Sequence, residues 1–224
     1  MGRTIKARKR PRAPAAQTAE QRRQPQQERG EKRVEEILDA AAAVIAEVGV
    51  QAATTNAIAE RAGSSVGSLY HFFPNKEAIV LGLAARYEAE IRDLNRASMS
   101  VEAAKVPIPQ MVEGIVTPLA RFMEENPAYI PVFHATKDPR IPGCMTSELS
   151  ETIVGLVEQL MAARAPQVPP EVRRLRAGIS VELVHRMLEY AWASPPARRP
   201  GIVAELKRLL ALYSEIEEER DPAG

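Results

Sequence analysis

The segment TTNAIAERAGSSVGSLYHFFPNKE, residues 54–77, restricts the fold more than any other part of the chain. It contains two short helical patterns around a Gly-Ser-Ser turn, and a Pro-Asn pair then starts a further helix. Two short helices joined by a tight turn can present the second helix to the major groove of DNA. The segment is therefore either a DNA-binding helix-turn-helix or an ordinary helical hairpin.

The side chains of the second short helix favour DNA binding. This helix holds few apolar residues and several hydrogen-bonding side chains that suit phosphates or base edges, namely Ser65, Ser68, Tyr70 and His71. Gly67 permits a close approach of the backbone to a duplex. Lys76 begins the following helix, where an ammonium group and backbone N–H groups together suit a phosphate.

Helical periodicity extends over the rest of the chain, and no strand pattern of period two is visible. Aromatic residues make up only 4% of the sequence, while Ala, Leu, Glu and Arg are abundant, which favours helix over sheet. In the N-terminal part, Gly49 and Gly63 end helices, Thr54 or Thr55 and Ser64 or Ser65 cap the next ones, and Asn75 caps a long fourth helix. The expected helices are about 31–48, 55–62, 66–73, 76–97, 110–125, 127–135, 146–164, 170–193 and 200–219, with a loop at 136–145.

The charge of the chain is divided unevenly. Residues 1–33 hold 11 Lys/Arg and 3 Asp/Glu, a net charge of +8, whereas the remainder carries −7. Residues 1–30 contain almost no large apolar side chain, so they are expected to form a disordered arm. The arm is either a solubilising tail or an extension that grips DNA phosphates or a minor groove.

Several classes of protein receive no support from the sequence. Cys144 is the single cysteine, which excludes an internal disulfide and suits a reducing cytosol. No 18-residue apolar run is present to span a membrane, and no apolar segment follows the basic N-terminus as in a secretory signal. His134 and Cys144 are too few to indicate a metal site, and no catalytic grouping or cofactor motif is recognisable. We expect a cytoplasmic protein without catalytic residues, metal or cofactor.

Residues 33–80 resemble the N-terminal domain of the tetracycline-repressor (TetR) family of bacterial transcriptional regulators. The matching positions are Ile37, Ala40, Ala41, Gly49, Thr54, Thr55, Ile58, Ala59, Ala62, Gly63, Gly67, Leu69, Tyr70, Phe73, Asn75, Lys76 and Glu77. The fixed spacing from Thr54 to Lys76 makes this pattern specific, although Ser64 stands where the family often has Val. Leu69 and Phe73 are interpreted as core residues.

The resemblance implies a set of DNA contacts. Tyr70 and Lys76 would mainly bind phosphate, Asn56, Ser68 and His71 are candidates for base contact, and Val66 could meet a thymine methyl group. The complete set of expected DNA-binding residues is Thr55, Asn56, Ser65, Val66, Gly67, Ser68, Tyr70, His71 and Lys76. Because the motif holds so few arginines, much discrimination is expected from DNA shape and water.

In this family the C-terminal domain binds a small molecule and dimerises, commonly through its last two helices. The residues expected to line the ligand site, each of which could instead be plain core, are Phe122, Met123, Tyr129, Phe133, His134, Met161, Met187 and Trp192. Their apolar character indicates a hydrophobic effector. Apolar stripes on the two last helices predict a homodimer, unless they only cover the core of their own chain.

These observations predict an all-α protein with an N-terminal three-helix helix-turn-helix domain and a C-terminal helical ligand-binding and dimerisation domain. The expected divisions are a disordered basic arm at 1–30, a DNA-binding domain at 31–91 with its motif at 54–73, a C-terminal domain at 98–219 and a tail at 220–224. The resemblance implies a repressor released from a palindromic operator by a small hydrophobic effector. The alternatives are a helical small-molecule-binding protein or enzyme that does not act on DNA, and a helix-turn-helix protein without a ligand.

Overall fold

The computed structural model describes the backbone of residues 19–100, 102–136 and 146–219. Within these ranges the regular elements are all helical, as the periodicity predicts. The α-helices are α1 (Ala19–Ala52), α2 (Thr55–Arg61), α3 (Val66–Phe72), α4 (Lys76–Ser98), α5 (Ile108–Glu125), α6 (Tyr129–Thr136), α7 (Thr146–Arg164), α8 (Pro170–Ala193) and α9 (Arg199–Glu219). Short 3₁₀ turns at Ala103–Lys105 and Pro196–Arg198 precede α5 and α9.

Three polar side chains fix where the short helices begin. The Thr54 hydroxyl accepts a hydrogen bond from the Ala57 N–H at 3.2 Å and caps α2. The Ser65 hydroxyl accepts from the Ser68 N–H at 3.1 Å at the start of α3. Asn75 caps α4 in the same way, with its Oδ1 2.7 Å from the Ala78 nitrogen. Each cap satisfies one N–H that the helix itself leaves without a partner, and the prediction of these helix starts is confirmed.

Two glycines turn the chain before and after α2. Gly49 has φ 76° and ψ 165°, which interrupts the regular helix within α1. Gly63 has φ 58° and follows the end of α2. Both values fall in a region that side chains with a Cβ atom rarely adopt. The prediction that a helix ends at Gly63 is confirmed, whereas α1 is interrupted at Gly49 and continues to Ala52.

The N-terminal arm differs from the prediction of disorder over residues 1–30. Residues 19–30 belong to α1, while residues 1–18 lie outside the described part of the chain. The prediction considered only how little apolar surface these residues can bury. Adding Ala, Glu, Gln and Arg residues to a helix that has already formed avoids the nucleation cost, and these residues favour helix.

The chain divides into two units, of which the first ends at Glu36 and the second begins at Ile37. In the second unit, the short helices pack on α1 and α4 around side chains that are almost completely buried, namely Ile37, Ala41, Ile45, Ile58, Leu69, Ile79, Val80 and Leu83. Phe73 is also buried, and a Cβ atom on Gly82 would approach its ring to 3.0 Å. Leu69 and Phe73 are therefore core residues, as predicted.

The later helices form the rest of the second unit. Helix α7 packs along α8, and α9 packs against α5 and α8. Their buried side chains include Val116, Val132, Leu188, Ala191 and Leu206. The expected loop at 136–145 lies outside the described residues except for Thr136, which ends α6.

Candidate DNA-binding surface and cavity

Helix α3 has one buried side and one exposed side. Leu69 is 0% exposed beneath the helix, whereas its neighbour Tyr70 is 48% exposed. Of the expected DNA contacts, Asn56, Ser65, Gly67, Tyr70 and His71 are exposed, and Thr55, Val66, Ser68 and Lys76 are partly buried. The structure therefore places hydrogen-bonding side chains on the accessible side of α3.

A hydrogen bond joins the two helices of the motif at this surface. The Tyr70 hydroxyl lies 3.3 Å from the Thr55 hydroxyl. A hydroxyl group has one donor and two acceptor positions, so this pair keeps further capacity for an additional partner. Two side chains expected to contact DNA are thus brought together from α2 and α3.

Lys76 has partners that the sequence did not reveal. Its ammonium group donates to the backbone carbonyls of Val50 and Gln51 at 3.1 and 3.2 Å, in the last turn of α1. A cation at the carboxyl end of a helix also interacts favourably with the helix dipole. Since an ammonium group has three N–H donors, one remains for the phosphate contact expected from the resemblance.

An ion pair fixes α2 against α1. The Arg61 guanidinium donates two hydrogen bonds, of 2.9 and 2.8 Å, to the two carboxylate oxygens of Glu47. This bidentate contact lowers the pKa of the Glu47 carboxyl group. Sequence reasoning missed the pair because residues 14 positions apart on different helices show no local signal.

A cavity of about 490 Å³, partly open to solvent, lies among α4, α5, α6, α7, α8 and α9. Of the residues expected to form a ligand site, five line the cavity, namely Phe122, Met123, Tyr129, Phe133 and Met161. A space of this size with mostly apolar walls is typical of a small-molecule site.

Three of the expected ligand-site residues lie outside the cavity lining. The His134 Nε2 lies 3.0 Å from a carboxylate oxygen of Glu189, and the guanidinium of Arg199 lies 5.5 Å from the Trp192 ring centre. Met187 is partly buried elsewhere on α8, while the adjacent Leu188 lines the cavity. Because α8 is apolar on several sides, its sequence does not show which residues point toward the cavity.

One end of the cavity is aromatic. Tyr87, Phe122 and Tyr129 make mutual edge-to-face contacts with ring centres 5.3 to 5.8 Å apart. Phe133 adds a stacked contact with Tyr129 and lies 4.7 Å from the His185 ring. Burial raises the pKa of Tyr129 to about 12, with smaller contributions from the negative charges of Glu88 and Glu189. The Tyr129 hydroxyl is therefore neutral near pH 7.

Sequence reasoning missed much of the lining. On α4, Ile91 and Asn95 line the cavity, and on α8 the lining includes Ser180 and Val181. The apolar periodicity of α4 predicts a buried face but does not distinguish a face packed on protein from a face that borders a cavity.

Adjacent residues of α4 contact the cavity and α1. The Arg86 guanidinium forms an ion pair with Asp39 of α1 at 2.6 Å. The next residue, Tyr87, is 1% exposed and places its ring in the aromatic end of the cavity. Helix α4 therefore offers a direct physical connection between the cavity and the helix on which the motif packs.

Helices α8 and α9 divide their apolar side chains between the core and the surface. Leu188, Leu206 and Leu210 are buried within the chain. Large apolar side chains on the same two helices are exposed, namely Leu175, Ile179, Tyr190, Leu209 and Leu212. An exposed apolar surface of this kind is typical of a protein–protein interface.

Comparisons with known proteins agree with this architecture. Residues 37–83 match the family model for bacterial regulatory proteins of the tetR family, and residues 107–213 match the tetracyclin repressor-like C-terminal domain. Among the described residues, the structure contains no helix with the length and apolar character that a membrane crossing requires.

Individual relatives extend the match over most of the chain. An HTH-type transcriptional regulator of Mycobacterium tuberculosis is 32% identical over 72% of this chain and 77% of its own length. The HTH-type transcriptional repressor KstR2 of Rhodococcus jostii is 28% identical over 74% of this chain and 79% of its own.

A crystal structure of a TetR-family transcriptional regulator from Mesorhizobium loti shares the fold, with a TM-score of 0.67. It is 14% identical and covers 84% of this chain and 98% of its own. With both family domains matched and a relative above 30% identity along most of the chain, this protein belongs to the TetR family of bacterial regulatory proteins and is a DNA-binding transcriptional regulator.

Proposed function

We propose that this regulator is a homodimeric repressor that binds a palindromic operator and is released by a small hydrophobic effector in the cytoplasm. The observation that carries the proposal is the exposed polar side of α3 over buried Leu69, in a chain that also holds an apolar cavity of about 490 Å³. The name of the relative KstR2, a transcriptional repressor, supports repression.

The exposed side of α3 suits the major groove. Tyr70 and Thr55 meet a phosphate, while Asn56, Ser68 and His71 meet base edges and Val66 meets a thymine methyl group. Two copies related by twofold symmetry place their α3 helices in successive major grooves, which repeat about every 34–36 Å. The exposed apolar side chains of α8 and α9 support dimerisation on the opposite part of the chain.

Effector binding acts through α4. A ligand between the aromatic residues displaces Tyr87, and the adjacent Arg86 transmits the change to Asp39 of α1. The separation of the two α3 helices then no longer matches the grooves of the operator. Coupling of this kind is typically worth about 1–3 kcal/mol, which is enough to change operator affinity by roughly 5- to 150-fold.

A mobility-shift assay with the intergenic DNA beside the gene tests the proposal. We expect a retarded complex with that DNA at a protein concentration that leaves a scrambled duplex of equal length free, at the same stated salt concentration. Equal affinity for both duplexes, or no complex with either, would show that the chain is not an operator-binding repressor.

Tyr70→Phe tests the docking of α3. Removing the hydroxyl group deletes one hydrogen bond to phosphate, so operator and scrambled DNA should both bind about three- to tenfold more weakly. Thr152→Val is the control, because it removes a partly exposed hydroxyl group from α7, outside the cavity lining. Unchanged DNA affinity in Tyr70→Phe would contradict the docking.

A further inference from the structure

We infer that the cavity selects an apolar ligand that carries a hydroxyl group, held between Asn95 of α4 and Ser180 of α8. The inference rests on the proposed function, because it names the ligand class of the proposed effector cavity. Both residues line the cavity, and they are polar residues within mostly apolar walls, 3% and 9% exposed respectively.

The orientation of the Asn95 amide is fixed by its own helix. Its Nδ2 donates a 2.8 Å hydrogen bond to the Ile91 carbonyl one turn earlier. A carbonyl can only accept, so the nitrogen must face Ile91 and Oδ1 is the atom left to accept from another partner. Among the described residues, Oδ1 accepts no hydrogen bond. Asn95 is almost completely buried yet lines the cavity, so this oxygen is the acceptor that a ligand donor in the cavity would meet.

Ser180 supplies the complementary group from another helix, α8. Its hydroxyl also makes no hydrogen bond to the described residues. Met99, one turn after Asn95, packs against the buried cluster that contains Ala177, almost one turn before Ser180. Asn95 and Ser180 therefore each lie about one helical turn from a residue of this shared cluster.

An alcohol fits this pair better than a ketone, a carboxylate or a hydrocarbon. Its hydroxyl donates to the Asn95 Oδ1 and accepts from the Ser180 hydroxyl at the same time. A ketone or a carboxylate accepts hydrogen bonds but has no proton for Oδ1, and a hydrocarbon offers neither function. A site with a fixed acceptor therefore discriminates against the analogue without a donor, because its polar atom would stay buried and unpaired.

Menthol and menthone test the inference as a matched alcohol and ketone of nearly equal shape. Calorimetric titration of the full-length protein should give a dissociation constant about tenfold lower for menthol than for menthone. Asn95→Leu, which keeps the side-chain volume, should make the two constants equal, and Ser180→Ala should reduce the preference. Ser98→Ala is the control, because Ser98 is on the same helix but outside the cavity lining.

The ratio of the two dissociation constants is independent of small losses of stability, and Ser180→Ala provides a second variant should Asn95→Leu fail to fold. Failure of both probes to bind, an equal affinity for both in the unaltered protein, or a preference that survives in both variants would overturn the inference. Operator binding measured without any probe reports separately on the proposed function. A protein that binds its operator but shows no preference for the alcohol refutes only the ligand class.

Discussion

At the scale of single residues, Lys76 shows how one side chain serves the fold at the edge of the DNA-binding surface. Its ammonium group donates to the Val50 and Gln51 carbonyls. Lys76→Met should lower the free energy of unfolding by about 1 kcal/mol, because two carbonyls at the end of α1 lose a charged donor. Chemical denaturation without DNA measures this loss.

Lys105→Met is the matched control for Lys76. The Lys105 side chain is 64% exposed and, among the residues that the structure describes, pairs only with Glu102 three residues earlier. Its replacement should therefore change stability by less than about 0.5 kcal/mol. Equal effects of the two substitutions would mean that the carbonyl contacts of Lys76 contribute nothing measurable.

Tyr129 gives the protein a specific sensitivity to alkaline pH. Its pKa is raised to about 12, above the ordinary value of 10 that applies to the unfolded chain. Between these values the folded state holds a proton that the unfolded state has lost, so stability falls as pH rises through this window, by up to about 2 kcal/mol. Urea denaturation of Tyr129→Phe should show a shallower loss above about pH 10 than the unaltered protein. An identical pH dependence would contradict the burial of this hydroxyl.

Residue roles were predictable where the chemistry is local. Exposed hydrogen-bonding side chains around buried Leu69 follow from the spacing of a short helix, so the surface of α3 could be predicted. The partners of Lys76 and Arg61 could not be predicted, because they are distant in the sequence. They lie 25 and 26 residues before Lys76 and 14 residues before Arg61. The roles inferred for Asn95 and Ser180 could not be predicted either, because they depend on a cavity that several helices form together.

At the scale of the elements, Gly49 decides how α1 leads into the helix-turn-helix. Its φ of 76° and ψ of 165° are accessible to glycine and strained for other residues. Gly49→Ala should therefore destabilise the fold by about 1–3 kcal/mol, although no atom lies within 4 Å of the added methyl group.

Gly114→Ala is the matched control, since Gly114 lies inside α5 and an added methyl group there also meets nothing within 4 Å. This substitution should raise stability by up to about 1 kcal/mol, because alanine favours a helix interior over glycine. In thermal unfolding, the melting temperature should fall for Gly49→Ala and rise for Gly114→Ala if backbone conformation is the cause. A loss of the same size in both would assign the effect to the methyl group itself.

Element boundaries were predicted well where capping groups and glycines mark them. Thr54, Ser65 and Asn75 act on N–H groups three residues away, so their effect can be recognised without the rest of the fold. Helix formation at residues 19–30 was not predicted, because composition alone does not show that these residues continue an existing helix. The prediction that Met187 and Trp192 of α8 line the cavity was wrong, because a helix that packs on several neighbours has no single apolar face that identifies its orientation.

At the scale of the whole molecule, the exposed apolar side chains of α8 and α9 predict a partner copy of the chain packed against them. Leu209→Glu combined with Leu212→Glu should shift the protein from dimer to monomer in size-exclusion chromatography with light scattering. The same variant should lose operator affinity, because only one α3 helix remains per complex. Ala89→Glu, at an exposed position of α4, is the control. A double variant that remains dimeric would place the interface elsewhere.

In the proposed dimer, the exposed leucines of α9 would also make the abundance of the protein part of its regulation. Where most chains are monomers, the concentration of dimers rises with the square of the concentration of chains. Far below saturation, the fraction of operator occupied by dimers follows the same square. A gene under such control responds steeply to small changes in the supply of its regulator, before any effector is present.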